Sequence, residues 1–176
     1  TLNPDSINSE IASCLYTGIM TDTGSFRYPS TTADTHKAIA HLIEKGADGT
    51  AIHQKIYDSS SFNRLKLLGI ALSNLNRIRS LPIVYITLSQ QELNSCEYQK
   101  GDTEGFVNYG LSLEGVQFAC IMIENEKEGK IKMSFRSKGS FSVNDFARKY
   151  FQGGGHLNAA GGMSTDSISE TIELFN

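Results

Sequence analysis

The chain has no tryptophan, three prolines and three cysteines in 176 residues, and it has no long apolar run. Each scarcity excludes a class. Cys14, Cys96 and Cys120 are odd in number, scattered and without a C-x-x-C pair, which excludes a disulfide framework or a zinc ribbon and fits a reducing cytoplasm. No apolar stretch approaches ~18 residues and no charged-then-apolar leader opens the chain, so neither a membrane span nor a signal peptide is expected. A net charge of −3 argues against gripping long nucleic acid by bulk electrostatics, while leaving room for a local basic pocket. There is no internal repeat and no low-complexity tract. What remains is a composition of 39% hydrophobic and 20% charged residues, that of an ordinary globular chain forming one domain or two small lobes. Thr1 in place of Met reads as a processing or expression boundary.

Glycine is the abundant exception. Gln152-Gly153-Gly154-Gly155-His156-Leu157-Asn158-Ala159-Ala160-Gly161-Gly162 holds five of the 16 glycines. Each glycine lacks a Cβ and costs backbone entropy to order. The run therefore reads as backbone at unusual φ/ψ or close to a ligand, not as packing. Its N–H groups suit an anion, and Ala159-Ala160 reads as the start of a helix whose N-terminus adds positive potential. His156 is within reach of whatever the loop holds. A flexible turn beside an ordinary histidine explains the same letters.

Two further stretches bear on the choice. Lys132-Met133-Ser134-Phe135-Arg136-Ser137-Lys138-Gly139 precedes the glycine run, and Gly18-Ile19-Met20-Thr21-Asp22-Thr23-Gly24-Ser25-Phe26 lies near the start. In this order the three resemble the DHH phosphoesterase family over nearly the whole chain. Gly-Ile-x-x-Asp-Thr-Gly-x-Phe is similar to the last metal-binding motif of its catalytic domain. Ser-x-Arg-Ser and Gly-Gly-Gly-His-x-x-Ala-Ala-Gly resemble the two motifs of the DHH-associated substrate domain. The members that degrade very short RNAs and dephosphorylate 3′-phosphoadenosine 5′-phosphate match best.

The resemblance implies an α/β architecture: the C-terminal part of a DHH catalytic domain over 1–58, a connector helix over 59–80, and a mixed-sheet α/β substrate-binding domain over 81–176. It implies a metal-dependent phosphoesterase acting on short oligoribonucleotides or nucleoside 3′,5′-bisphosphates. Asp22 would hold Mn²⁺ or Mg²⁺, since hard cations prefer carboxylate oxygens. Arg136, Ser137, Gly153, Gly154, Gly155 and His156 would bind the substrate's phosphate end. An Asp-His-His triplet is absent, and one carboxylate cannot hold the two metals that such chemistry uses. The chain alone is therefore expected to be inactive, without a catalytic residue of its own, as a piece of a larger enzyme. Two other readings stay open. One is a non-catalytic nucleotide- or RNA-binding module, as when the substrate domain is attached to alanyl-tRNA synthetases. The other is a cyclic-dinucleotide phosphodiesterase of the same two domains. A homodimer is also left open.

Residue by residue, Asp22 reads equally as an Asx-turn residue before Gly24. Arg136 offers a fork of donors to a phosphate, or is a strand-edge charge beside Lys138. Ser134 and Ser137 can donate hydroxyls or be solvated. His36, His41 and His53 have no ligand spacing and read as structural or surface residues.

Periodicity supplies the remaining elements. Asp5 or Ser6 caps a helix from about Ile7 to Thr21–Gly24, and helices follow over 33–45 and 47–57. Leu65, Leu68, Leu72, Leu75 and Ile78 predict a long helix over 62–79, with Asn63, Arg64 and Lys66 on its outer face. Strands are expected over 83–88 and 116–123, with a hairpin return over 131–136. Short helices capped by Ser89 and starting near Thr103 lie between them. A helix capped by Ser142 or Asn144 runs to Tyr150, and a last helix spans 168–175.

Overall fold

A computed structural model describes residues 6–176, and the Asp5 cap lies outside them. The chain forms two compact units, one ending at Ser60 and the other beginning at Ser61.

The first unit is helical. Helix α1 (Ser9–Asp22) is capped by Asn8, whose side chain accepts from Ile11 N–H at 2.9 Å, two or three residues later than expected. Helix α2 (Ala33–Glu44) starts at a Thr32–Thr35 capping box, and α3 (Gly49–Tyr57) is capped by Asp48. Ala12, Tyr16 and Met20 of α1 pack with Ile39, Leu42 and Ala47, so helical spacing on both helices supplies one small core.

The second unit is a mixed six-stranded sheet with helices on both faces. Its strands are β1 (Leu75–Ile78), β2 (Ile83–Leu88), β3 (Phe118–Asn125), β4 (Lys130–Ser137), β5 (Gly154–His156) and β6 (Ala159–Ser164). They lie in the order β1-β2-β3-β4-β6-β5, antiparallel except for the β2–β3 pair. That parallel pair needs a crossover, which α5 (Gln90–Ser95) and α6 (Phe106–Leu111) provide. Period-two alternation sends Val84, Ile86, Leu88, Ala119 and Ile121 to one face, where they meet Leu67 and Ala71 of α4 (Phe62–Ser73) and Phe106 of α6. Phe118, Cys120, Met122, Met133 and Phe135 take the other face, under α7 (Val143–Tyr150) and α8 (Ile168–Phe175).

The helix expected over 62–79 ends at Ser73. Asn74 caps it and donates through its side chain to Thr87 O (3.0 Å) and Glu92 Oε1 (2.8 Å). Leu75 to Ile78 then pair with β2. Leu75 and Ile78 fit helical spacing only because a four-residue strand is too short to show its own period. With Leu67 and Ala71 fully buried against the sheet, α4 is a core helix of the second unit and not a free-standing connector.

Arg64, read from sequence as part of an exposed face, is a clamp. Its guanidinium donates to the backbone carbonyls of Gly101, Asp102 and Glu104 and lies 5.2 Å from the Phe106 ring centroid. Arg64→Ala should cost about 2 kcal/mol, because three carbonyls lose charged donors at once. Arg64→Lys should restore only part, lacking the planar fork. Urea unfolding would show this, and an unchanged midpoint for Arg64→Ala would mean the clamp is idle.

Candidate functional site

The candidates divide between the two units. Asp22 is the last residue of α1 and is exposed, bordering an open concavity with Gly18, Ile19 and Thr21. A Cβ at Gly18 would meet nothing within 4 Å, so this side of the helix end is unobstructed.

The Thr23–Phe26 turn that follows explains its own letters. Thr23 is buried, donates through Oγ1 to Ile19 O at 2.7 Å and accepts from Phe26 N–H at 3.1 Å. Gly24, Ser25 and Phe26 all have left-handed φ, of 57°, 58° and 64°. At Gly24 a Cβ would also lie 2.4 Å from the Tyr28 ring. His53 braces the turn: Nδ1 pairs with Gly49 O at 2.8 Å and Nε2 with Ser25 Oγ at 3.1 Å, in keeping with its structural reading. If Nδ1 donates to the carbonyl, Nε2 is left to accept from the hydroxyl.

The metal set is incomplete among the described residues. Among the described residues no three His, Cys, Asp or Glu side chains cluster as metal ligands, so Asp22 alone offers too few donors for one divalent cation, let alone two. Cys120 is no candidate nucleophile either, since full burial pushes its thiol well up.

In the second unit the glycine motif is not a loop leading into a helix. Gly154–His156 is β5, Leu157-Asn158 is a two-residue turn, and Ala159–Ser164 returns as β6. The expected helix N-terminus at Ala159-Ala160 is absent, because these residues pair with β4 and β5. The turn is anchored from outside: Val143 N–H donates to Leu157 O at 2.8 Å and Ser137 N–H to Asn158 O at 3.1 Å.

The glycines serve packing after all. A Cβ at Gly153 would lie 1.9 Å from Gly161 O, one at Gly155 2.5 Å from Ala159 O, and one at Gly162 2.8 Å from the Phe135 ring. None of Gly153, Gly154 and Gly155 has positive φ. Gly153 and Gly155 are glycines because the chain there leans so closely on β6 that side chains would strike backbone. Nor are the amides free for an anion at every position. Gly153 N–H donates to Ala147 O (3.2 Å) and Gly155 N–H to Asn144 Oδ1 (2.9 Å).

Ser137 is also turned inward. It is 6% exposed, donates to Phe141 O (2.7 Å) and accepts from Asn158 Nδ2 (2.9 Å), so it braces the turn and has no hydroxyl proton to give a ligand.

Arg136 and His156 remain, and the ladder brings them together. Arg136 pairs with Ala159, and Ala159 pairs with His156, so the three form one row across β4, β6 and β5. Two strand spacings put their backbones about 10 Å apart, with only a methyl group between. Arg136 is half-buried and donates through Nη1 to Phe135 O at 2.9 Å, while His156 is exposed. Beyond β3 this face carries no core cluster. It presents Ser134, Arg136, Ala159 and Gly161, all partly open.

Sequence reasoning named Asn144 only as a candidate helix cap and passed over Arg148. They stand one turn apart on α7 and are joined by an Nε–H···Oδ1 bond of 3.1 Å at the edge of β5. Their i, i+4 spacing just ahead of the glycine run was the available signal.

Residues 82–176 match the family model described as the DHHA1 domain. The chain is 30% identical over 169 residues to a probable bifunctional oligoribonuclease and PAP phosphatase NrnA of Streptococcus mutans, covering 96% of this chain and 53% of that protein. It is 28% identical to the Bacillus subtilis bifunctional oligoribonuclease and PAP phosphatase NrnA, covering 88% and 48%. It thus spans about half the length of the curated relatives it matches. Among solved structures, an exopolyphosphatase-related protein from Bacteroides fragilis superposes with a TM-score of 0.93 at 41% identity, over 98% of this chain and 50% of that one.

Proposed function

This chain belongs to the DHHA1-domain family of DHH proteins, and on that premise we propose that it binds the phosphate end of short oligoribonucleotides or nucleoside 3′,5′-bisphosphates for a metal-dependent phosphoesterase. The observation that carries the reading is the row Arg136–Ala159–His156, which sets a guanidinium and an imidazole on the two strands flanking β6 with a small residue between them. Arg136 supplies the permanent charge and a fork matched to phosphate oxygens. His156 adds a hydrogen bond. The partly open floor of Ser134, Ala159 and Gly161 admits a sugar or base without a clash. A site of this size takes a few phosphates, in keeping with a chain of net charge −3.

Asp22 would contribute one carboxylate to a Mn²⁺ or Mg²⁺ site completed by ligands outside the described residues. The chain's own part is then to hold substrate, and hydrolysis belongs to a larger assembly. Cys14, Cys96 and Cys120 are all unpaired, which suits a cytoplasmic location, and no helix among the described residues is long and apolar enough to cross a membrane.

Titration calorimetry with a 5′-phosphorylated diadenylate tests the reading. Arg136→Ala should weaken binding about 10- to 100-fold, the loss of a charged hydrogen-bonding partner worth ~1.5–3 kcal/mol. Equal affinity of the variant and the parent would sink the proposal.

A further inference from the structure

Arg148 is not used by the reading above, and its surroundings suit a ligand. It is exposed, and its guanidinium is held by one of its three nitrogens: Nε–H donates to Asn144 Oδ1 at 3.1 Å. The same oxygen accepts from Gly155 N–H at 2.9 Å, so Asn144 ties the arginine to the backbone of β5. The side-chain direction of Gly154 points at this group, since a Cβ there would lie 3.5 Å from Arg148 Nε and 3.7 Å from Cζ. Alternation along a strand sends residues i and i+2 to the same side, so His156 emerges from β5 on the side where the guanidinium lies. Gly154 puts no side chain between them.

The choice of partner is informative. An amide fixes the arginine's direction without cancelling its charge, as a carboxylate would. None of the three ion pairs among the described residues involves Arg148. Its two terminal nitrogens make no hydrogen bond among the described residues, and such a guanidinium fork can take a phosphate bidentately.

We propose that Arg148 is a second substrate-binding arginine, which holds a phosphate group distinct from the one bound by Arg136 and His156. The ligand class is then a nucleotide carrying two separate phosphates, and Arg148 discriminates it from a monophosphate. This rests on the reading of the second unit as a phosphate-end binder.

The test compares adenosine 3′,5′-bisphosphate with adenosine 5′-monophosphate by titration calorimetry, using the parent chain and Arg148→Gln. Glutamine keeps a donor for Asn144, and the position is exposed, so the melting temperature should stay within about 1–2 °C. The bisphosphate should bind about 10- to 100-fold more weakly to Arg148→Gln, with the monophosphate changed less than about threefold. Combining it with His156→Gln should cost about the product of the two single losses, as expected for groups on two separate phosphates. Equal losses for both ligands, or no loss, would overturn the assignment while leaving the role of Arg136 standing. A parent chain that binds neither ligand would overturn both.

Discussion

Gly153→Ala should unfold the second unit at a temperature on the order of 10 °C or more below the parent, whereas Gly154→Ala next to it should be close to neutral. The two substitutions add the same methyl group to neighbouring residues of one motif. At 153 the methyl would lie 1.9 Å from Gly161 O and 2.7 Å from Gly162 Cα. Both are backbone atoms of β6, which is locked on its far side to β4, so neither strand can step aside cheaply. Relief requires β5 to lift off β6, breaking its pairs with Gly161, Ala160 and Ala159 and moving the Ala147 carbonyl bond. Overpacking against a backbone of this kind costs about 3 kcal/mol or more. At 154 the nearest atoms stand at 3.5 Å, ordinary contact distance, and they belong to side chains. A small gain from reduced backbone freedom in the unfolded chain is even available there. Thermal unfolding of both variants decides the matter. If they melt together, the close approach of β5 and β6 is not what the glycines are for.

Phe135→Ala should cost about 3–5 kcal/mol, as expected for a fully buried aromatic. Phe135 is 0% exposed, and its ring centroid lies 6.0 Å from that of Phe118 and 5.6 Å from those of Phe146 and Phe151. On the β6 side Gly162 makes room for the same ring, since a Cβ there would come within 2.8 Å of it. Residues 135 and 162 should therefore be coupled. Gly162→Ala destabilises the parent by striking Phe135, but should do less harm where Phe135 is already alanine. That double-mutant cycle, measured by urea unfolding, separates interlocked packing from simple loss of apolar area. Additive effects would contradict it. Phe135 and Arg136 are successive residues of β4 facing opposite ways, so the aromatic cluster beneath the strand is what holds Arg136 in its row.

Much of this was legible in the letters because it depends on neighbours in sequence. Capping by Ser89 and Ser142 and the alternation of β4 between Ile131 and Arg136 are local signals, and each led to the right element. The Asp-Thr-Gly and Gly-Gly-Gly-His motifs led to the family. The errors fell where a partner far along the chain decided the outcome. Leu75 and Ile78 obey helical spacing, yet Ile83 to Ile86 pull that segment into the sheet. Ala159-Ala160 would suit a helix, yet two flanking strands claim it.

By itself the sequence determined the class of the molecule, the main helices and central strands, and the family, since patterning and motif residues are written in order along the chain. Only the tertiary structure decided what the glycines and charges do. It turned Ser137 inward, made Gly153, Gly155 and Gly162 a matter of interstrand clearance, and set Arg136 level with His156. It also swung Arg148 to the edge of β5. The reason is one of distance: clearance and register depend on which backbones lie about 5 Å apart across a sheet, and spacing along one strand carries no record of its neighbours.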